Sequence, residues 1–84
     1  MISVANQMKD AIEKIIRALV GEPDAVEVSE NADGKTVRIE VRVADTDMGR
    51  IIGREGRTVK ALRSILFYAG QKQGRRFHLD LVED

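Results

Sequence analysis

The chain has 84 residues, with 14 basic and 14 acidic side chains and no cysteine. This length holds one small domain with a thin core, which leaves little volume for a deep catalytic pocket. The lack of cysteine excludes disulfides, thiolate metal sites and thiol nucleophiles. The sequence also contains no run of roughly 18 apolar residues, as a membrane span would need, and no secretory signal pattern, so we expect a cytoplasmic protein.

The even net charge conceals an uneven distribution along the chain. Residues 1–48 carry six bases and ten acids, net −4, and residues 77–84 carry three acids and no base, net −3. Between them, residues 49–76 carry eight bases and one acid, net +7. This basic segment is a candidate surface for a polyanion such as nucleic acid. The alternative is a solvated helix face that happens to be basic, and charge alone does not decide between the two.

The first half of the chain predicts a helix and a β-hairpin. An apolar stripe at helical spacing runs from Val4 to Leu19, and Gly21 followed by Pro23 is typical of a helix end. Val26 and Val28 alternate with polar residues and indicate a short strand, after which Asn31–Gly34 supplies turn residues. The clearest strand pattern follows at Val37–Val43, where apolar and charged residues alternate, so we expect a sheet covered on one face only.

The second half predicts two helices and a last strand. Asp45–Asp47 offers an N-cap and first-turn acids for a short helix that runs through Ile52. A longer helix follows the next glycines and ends at Gly70 or Gly74, since either can follow a C-cap. Its apolar face is expected to hold Val59, Leu62, Ile65, Leu66 and Ala69. Phe77–Leu81 alternates apolar with polar residues and predicts the final strand.

The predicted element order is helix, strand, strand, helix, helix, strand. A helical crossover of some 30 residues joins the second strand to the third, which suits parallel neighbours with a right-handed connection. The sequence therefore predicts an α+β domain over residues 1–84, with a three-stranded mixed sheet and three helices packed on one face.

Candidate catalytic and metal-binding groups are sparse. His78 falls on the charged face of the last strand, with no candidate nucleophile near it in the sequence, and is expected to be a surface histidine. Asp45 and Asp47 are better explained as helix-capping residues than as an acid–base pair. No histidine or carboxylate pair has convincing metal-ligand spacing, so we expect neither an enzyme nor a metal or cofactor site.

The segment Gly49–Lys60 is the most informative part of the chain. It does not match a Walker-type phosphate loop, and Ile51 stands where a dinucleotide fingerprint requires glycine. A tight turn between two helices accounts for one glycine, whereas here Gly53 and Gly56 flank a charged dipeptide. Without a Cβ, these glycines allow a phosphodiester backbone to approach, and the N–H groups that begin the next helix favour an anion there.

The sequence Ile-Gly-Arg-Glu-Gly-Arg-Thr-Val at Ile52–Val59 resembles the signature of KH domains, in which apolar residues flank a Gly-x-x-Gly loop. The predicted element order matches the type II, prokaryotic arrangement of that fold. Essentially the whole chain is similar to the KhpA family of small bacterial KH-domain RNA-binding proteins. The resemblance implies that the loop clamps the backbone of four nucleotides of single-stranded RNA.

In KH domains the single-stranded nucleic acid lies in a groove between the helix–loop–helix and the edge strand of the sheet. Carried onto this sequence, the resemblance implies a set of RNA-contacting residues: Arg50, Ile52, Gly53, Arg54, Glu55, Gly56, Arg57, Val59, Lys60 and Arg63. Part of Phe77–Leu79 would line the far side of the groove, and Gly70–Arg76 would form a basic variable loop. Glu55 should weaken phosphate binding unless its side chain points away.

Aromatic residues are scarce, and Phe67 and Tyr68 are expected to be packing residues of the long helix. Phosphate contacts should therefore supply most of the affinity, with a loose sequence preference, and avidity through a dimer or a second RNA-binding protein would strengthen binding. The sequence does not distinguish RNA from single-stranded DNA as the ligand.

The family resemblance also implies a partner and a role. Members pair with a larger KH-containing protein, KhpB or Jag, and act as RNA chaperones or post-transcriptional regulators linked to cell-length control and peptidoglycan homeostasis. The alternative is a protein-interaction module, for example a ribosome-associated one, that docks through the glycine turn or the sheet edge. The basic segment of residues 49–76 favours RNA, because a protein dock does not require it.

Overall fold

A computed structural model describes the backbone of residues 4–82 and the side chains of residues 7–82. The helices are α1 (Val4–Leu19), α2 (Met48–Ile52) and α3 (Arg57–Gln73), and the strands are β1 (Glu27–Asp33), β2 (Thr36–Arg42) and β3 (Arg76–Val82). The predicted order of elements is confirmed. The predicted core contribution of the Val4 side chain lies outside the described side chains, as do the last two acids of the chain.

The three strands form one mixed sheet in the order β1-β2-β3. β1 and β2 pair antiparallel, with Val28 opposite Val41, and β2 and β3 pair parallel, with Val37 opposite Phe77. The crossover through α2 and α3 makes the parallel pairing possible, as predicted, and leaves β3 at an edge of the sheet.

One face of the sheet is covered by helices and the other faces solvent. The covered face and the helices supply a single apolar core: Ile12, Ile16, Val26, Val28, Val37, Ile39, Val41, Val43, Ile51, Val59, Leu62, Leu66, Phe77 and Leu79. The open face carries charged side chains, among them Arg38 and Asp80, whose Nε and Oδ2 atoms lie 3.1 Å apart. His78 is exposed, as the sequence predicted.

The hairpin differs from the prediction in where its first strand ends. β1 is longer than predicted and continues to Asp33, which pairs with Thr36, so of the expected turn Asn31–Gly34 only Gly34 lies in the turn. Only Gly34 and Lys35 lie between the strands, and Gly34 has a φ of 64°. A two-residue hairpin loop requires such a conformation at its first position, which Gly34 adopts without the steric cost of a Cβ.

The end of α3 lies within the predicted range, whereas the loop that follows it is shorter than predicted. The helix runs to Gln73, so the variable loop expected over Gly70–Arg76 contracts to two residues. The Arg75 N–H donates to the Gly70 carbonyl at 2.8 Å, and the Gly74 N–H donates to the Gln71 carbonyl at 3.4 Å. These two bonds are a Schellman motif with Gly74, φ 68°, in the left-handed position.

Three apolar side chains of α3 were predicted to be buried and are exposed. Ile65 was expected in the core and is 49% exposed, while Phe67 and Tyr68, expected to pack, are 57% and 69% exposed. The buried stripe of α3 runs through Val59, Leu62, Leu66 and Gly70, which turns these three side chains toward solvent.

Asp45 and Asp47 do not cap α2 through their side chains. Asp47 is 3% exposed, and its carboxylate accepts the N–H groups of Gly21 and Glu22 at 2.9 and 3.0 Å. Asp47 thus holds the predicted N-cap position of α2, but its side chain bonds elsewhere. The two accepted N–H groups belong to the segment that follows α1, so Asp47 joins that segment to the start of α2.

Candidate nucleic-acid interface

The turn between α2 and α3, Gly53–Gly56, is held in an unusual backbone conformation. Gly53 and Gly56 have φ values of 76° and 74°, and Glu55, with φ 58°, is the one non-glycine residue of positive φ in the described chain. The Gly53 N–H donates to the Gly49 carbonyl at 2.9 Å and the Gly56 N–H to the Gly53 carbonyl at 3.1 Å. Three of the four residues thus have positive φ values, which favour glycine, and one backbone bond spans the loop from Gly56 to Gly53.

The two loop glycines are required for different reasons. A Cβ on Gly53 would overlap the hydroxyl of Thr58 and lie 2.9 Å from both the Cβ and the backbone nitrogen of that residue. A Cβ on Gly56 would meet only Lys60 and Val59 atoms at 3.8 and 4.0 Å, so its dihedral angles alone favour glycine there. Gly53 therefore brings the turn against the first turn of α3, and Gly56 sets the direction in which the helix starts.

The N-terminus of α3 is suited to an anion. Its N-cap residue is Gly56, and no side chain caps the first N–H groups of the helix. No acidic residue lies in its first turn, whereas Arg57 and Lys60 are exposed there and Arg54 is exposed in the loop. Cations next to a helix N-terminus are unfavourable in isolation, and an anion held there would complement both the helix and the cations.

Arg50 and Ile52, on α2, lie on different sides of the turn. The Arg50 Nε atom is 3.9 Å from an Asp47 carboxylate oxygen, and the guanidinium lies next to Gly21 at the end of α1. Ile52 immediately precedes the glycine loop and is exposed. Ile52 can thus offer apolar surface at the loop, whereas Arg50 lies toward α1.

On α3, Val59 and Arg63 also differ in what they can contact. Val59 is 8% exposed and belongs to the core, so its side chain offers a base little apolar surface. Arg63 reaches across to β3, where its Nη2 donates to the Leu79 carbonyl at 3.3 Å. This bond connects the helix to the free edge of the sheet. The peptide groups of Phe77, Leu79 and Leu81 face this edge, because Arg76 pairs with Lys35 on the other side and successive residues alternate.

Two adjoining depressions follow the line between α3 and β3. One has a volume of about 440 Å³ and is lined by Arg63, Phe67, Phe77, His78, Leu79 and Asp80. The other, of about 530 Å³, lies toward the end of α3 and is lined by Lys35, Phe67, Gly70, Gln71, Gly74, Arg75, Arg76, Phe77 and His78. The sequence interpretation missed Phe67 in this groove. The sequence does contain an indication of this, because Phe67 follows Arg63 by four residues and therefore lies on the same side of the helix.

Other kinds of site find no support in the described residues. Between residues 4 and 82, no cluster of three histidine or acidic side chains is arranged to hold a metal ion. Over the same range, none of the helices has the length and apolar character that crossing a bilayer requires.

The element order, the mixed sheet and the Gly-x-x-Gly turn beside an edge strand define a type II KH domain. The family model described as the KH domain of KhpA/KhpB matches residues 9–81, and the chain belongs to this family.

The relatives agree with that assignment, and a solved structure shares the fold. The chain is 50% identical over 76 residues to RNA-binding protein KhpA of Halalkalibacterium halodurans, covering 90% of this chain and 100% of the relative. It is 42% identical over 76 residues to RNA-binding protein KhpA of Aquifex aeolicus, covering 90% and 96% of the two chains. A crystal structure of Aquifex aeolicus Era superposes with a TM-score of 0.65 and 18% identity over 96% of this chain. This chain spans 31% of that Era chain, and the likeness shows a shared fold.

Proposed function

We propose that the protein binds single-stranded RNA in the groove between the Gly53–Gly56 loop, α3 and the edge of β3. The observation that carries the proposal is the uncapped N-terminus of α3, with Arg54 and Arg57 exposed beside it. Backbone N–H groups and arginines there can hold two or more phosphates of a strand that the glycines allow to approach closely. The named relatives, RNA-binding proteins KhpA, support the same ligand.

The rest of the groove suits bases more than phosphates. Ile52 offers apolar surface at the loop, and the edge peptide groups of Leu79 and its neighbours can bond to base edges once Arg63 moves from the Leu79 carbonyl. A groove of this kind holds about four nucleotides. Affinity should be modest and should fall with salt at a shallow slope, because it comes mostly from a few phosphate contacts. This suits an RNA chaperone or post-transcriptional regulator, acting in the cytoplasm, that samples many transcripts.

The test is fluorescence anisotropy of a labelled single-stranded RNA, titrated with wild-type protein, Arg54→Asp and Lys14→Asp across a salt series. Lys14 is exposed on α1, which packs on β1 at the opposite edge of the sheet from the groove, so its substitution matches the charge change away from the site. We expect Arg54→Asp to lose most of the affinity, roughly tenfold or more, because two charge units change beside the phosphates. Lys14→Asp should stay within about threefold of wild type.

The salt series adds a count of contacts. Each phosphate that the protein neutralises on a single strand contributes about 0.7 to the slope of log affinity against log salt. We expect a shallow slope, consistent with two to four phosphates, and a smaller slope for Arg54→Asp. Equal losses in the Arg54 and Lys14 variants would mean that the net charge, and not the loop, governs binding. The same sequence as DNA, used as competitor, reports the selectivity for RNA.

We also propose that the protein pairs with a larger KH-containing protein of the KhpB type or with a second copy, which would place two grooves on one RNA. Ile65 is exposed on α3 and lines neither depression, so it offers apolar surface that binding of RNA leaves free. Sedimentation of the protein alone and mixed with a KhpB-type protein should show an assembly that Ile65→Lys weakens. Monomeric behaviour in both samples contradicts the pairing. The role in cell-length control and peptidoglycan homeostasis that the family resemblance implies is part of the same proposal.

The second candidate function is docking of a protein on the glycine turn or on the β3 edge, for example at the ribosome. Such docking uses the free edge of β3 by strand addition and does not need Arg54 or Arg57. Wild-type protein that fails to bind RNA at low salt, yet retains a protein partner after Arg54→Asp, would favour it.

A further inference from the structure

The groove along β3 continues beyond the part that the glycine loop can serve. The depression of about 440 Å³ next to Arg63 adjoins the one of about 530 Å³ near the end of α3, and both are lined by Phe67, Phe77 and His78. The α3 helix of 17 residues is about 25 Å long, and the loop lies at its N-terminus whereas the larger depression lies at its C-terminus. A volume of this size holds a group as large as a nucleotide.

Phe67 lies at the junction of the two depressions and is more than half exposed. Its ring contacts the ring of Tyr68 edge-on, with centroids 5.6 Å apart and an interplanar angle of 71°. A large aromatic side chain left exposed inside a groove is costly in water and is the kind of surface on which bases stack. Tyr68 is also exposed but lines neither depression, so the two neighbouring aromatics face different surroundings.

Positive charge converges on the depression at the end of α3. The Arg76 N–H donates to the Lys35 carbonyl at 2.8 Å, which holds the hairpin loop beside the short connection from α3 to β3. Lys35, Arg75 and Arg76 are exposed and line the depression, and its nine lining residues, all within the described part of the chain, include no acid. An apolar floor with cations at the rim complements a base and its flanking phosphates.

We propose that a single RNA strand continues from the four-nucleotide groove into this depression, with one base stacked on Phe67 and the adjoining phosphates near Lys35, Arg75 and Arg76. The inference rests on the proposed function, since it extends the same bound strand. It makes the binding site longer than the glycine loop implies, and it assigns Phe67 a role in affinity that depends on RNA length.

The experiment is a length series of oligouridines, from four to about ten nucleotides, bound to wild-type protein, Phe67→Ala and Tyr68→Ala and measured by anisotropy. Each affinity is divided by the number of overlapping positions at which an oligouridine of that length can occupy the site. We expect wild-type affinity to rise beyond four nucleotides and then level off. Phe67→Ala should lose roughly 5- to 150-fold more affinity on the longer strands than on the tetramer, the range that removal of one stacking contact produces. Tyr68→Ala should match wild type at every length.

A second pair of variants separates stacking from charge. Arg75→Gln combined with Arg76→Gln should leave tetramer binding unchanged and reduce the salt slope on the longest strand by about 1.4, corresponding to two phosphates. Affinity that is flat beyond four nucleotides, or Phe67→Ala that matches wild type on long strands, overturns the extension while leaving the four-nucleotide site intact. Lack of wild-type binding at every length overturns the proposed function, and the extension with it.

Discussion

The N-terminal and C-terminal ends of α3 use glycines in the same two ways but differ in structure. Each end has one glycine that a close approach requires, Gly53 against Thr58 and Gly70 against Arg75 and Phe77. Each end also has one glycine in the left-handed region, Gly56 before the helix and Gly74 after it. The first end is an open loop with a strained, exposed Glu55, whereas the second is a closed Schellman motif whose carbonyls are bonded.

The two ends of α3 differ in how the helix dipole and the terminal backbone groups interact with a phosphate. At the N-terminus no side chain caps the first N–H groups, and the helix dipole attracts an anion, so Arg54 and Arg57 would add to that attraction. At the C-terminus the dipole is negative and repels an anion. Lys72 and Arg75 are stabilising there without any ligand, so their charge alone does not indicate RNA. The exposed Phe67 is what distinguishes a binding surface from a well-charged helix end.

Gly70→Ala tests the close approach at the C-terminal end and should have the largest effect on stability. The new Cβ would overlap the Arg75 carbonyl oxygen and lie 3.2 Å from the Phe77 ring, and neither can move without shifting β3. We expect the free energy of unfolding to fall by about 2–3 kcal/mol, although alanine is by itself better than glycine in a helix by about 1 kcal/mol. Thermal denaturation should show a decrease of roughly 10–20 °C.

The matched control is Gly74→Ala, where a Cβ meets nothing within 4 Å and only the positive φ opposes it. This substitution should lower the free energy of unfolding by about 1 kcal/mol. If the two variants lose equal stability, the dihedral angles and not the contact with β3 determine this end of the helix.

Gly53→Ala makes the corresponding test at the N-terminal end. Its φ of 76° and ψ of 173° belong to a region open essentially to glycine, and the Cβ would overlap Thr58. Because the loop is exposed, the chain can remodel it, so we expect a smaller loss of stability, about 1–2 kcal/mol, and a loss of RNA affinity of roughly tenfold or more. Denaturation and anisotropy on the same samples separate the two effects.

Gly56→Ala is the control for that substitution, since space is available for its Cβ. Its RNA affinity should lie between those of wild type and Gly53→Ala. Unchanged RNA binding by Gly53→Ala would place the phosphate contacts away from the loop.

The sheet and the loop were predictable because both depend on local patterns. The strict alternation in β2 identifies a strand covered on one face, and two glycines around a charged pair identify a turn with positive φ. The pairing of β2 with β3 then follows from the length of their connection, because a helical crossover of this size places the second strand parallel to the first. None of these steps requires knowledge of residues distant in the chain.

The surroundings of α3 and of Asp47 were not predictable in this way. Ile65, Phe67 and Tyr68 are apolar residues near the edges of a helical stripe, and their exposure depends on how far neighbouring elements reach. No local rule says that α1 packs on β1 and leaves one side of α3 uncovered. Asp47 stands at an N-cap position, but it bonds to N–H groups 25 and 26 residues earlier in the chain. Tertiary contacts overrode the local capping preference in that case.

Glu55 gives the smallest expected effect and the sharpest test of the open end. Its side chain is exposed, and its backbone is left-handed, with φ 58°. Glu55→Gln removes the charge and keeps the backbone cost, so RNA affinity should rise by roughly two- to fivefold, as for one exposed charge pair, with unchanged stability. Glu55→Gly should give the same gain in affinity and raise the free energy of unfolding by about 0.5–1 kcal/mol, because it also relieves the dihedral strain. Unchanged affinity in both variants would show that the Glu55 carboxylate points away from the phosphates.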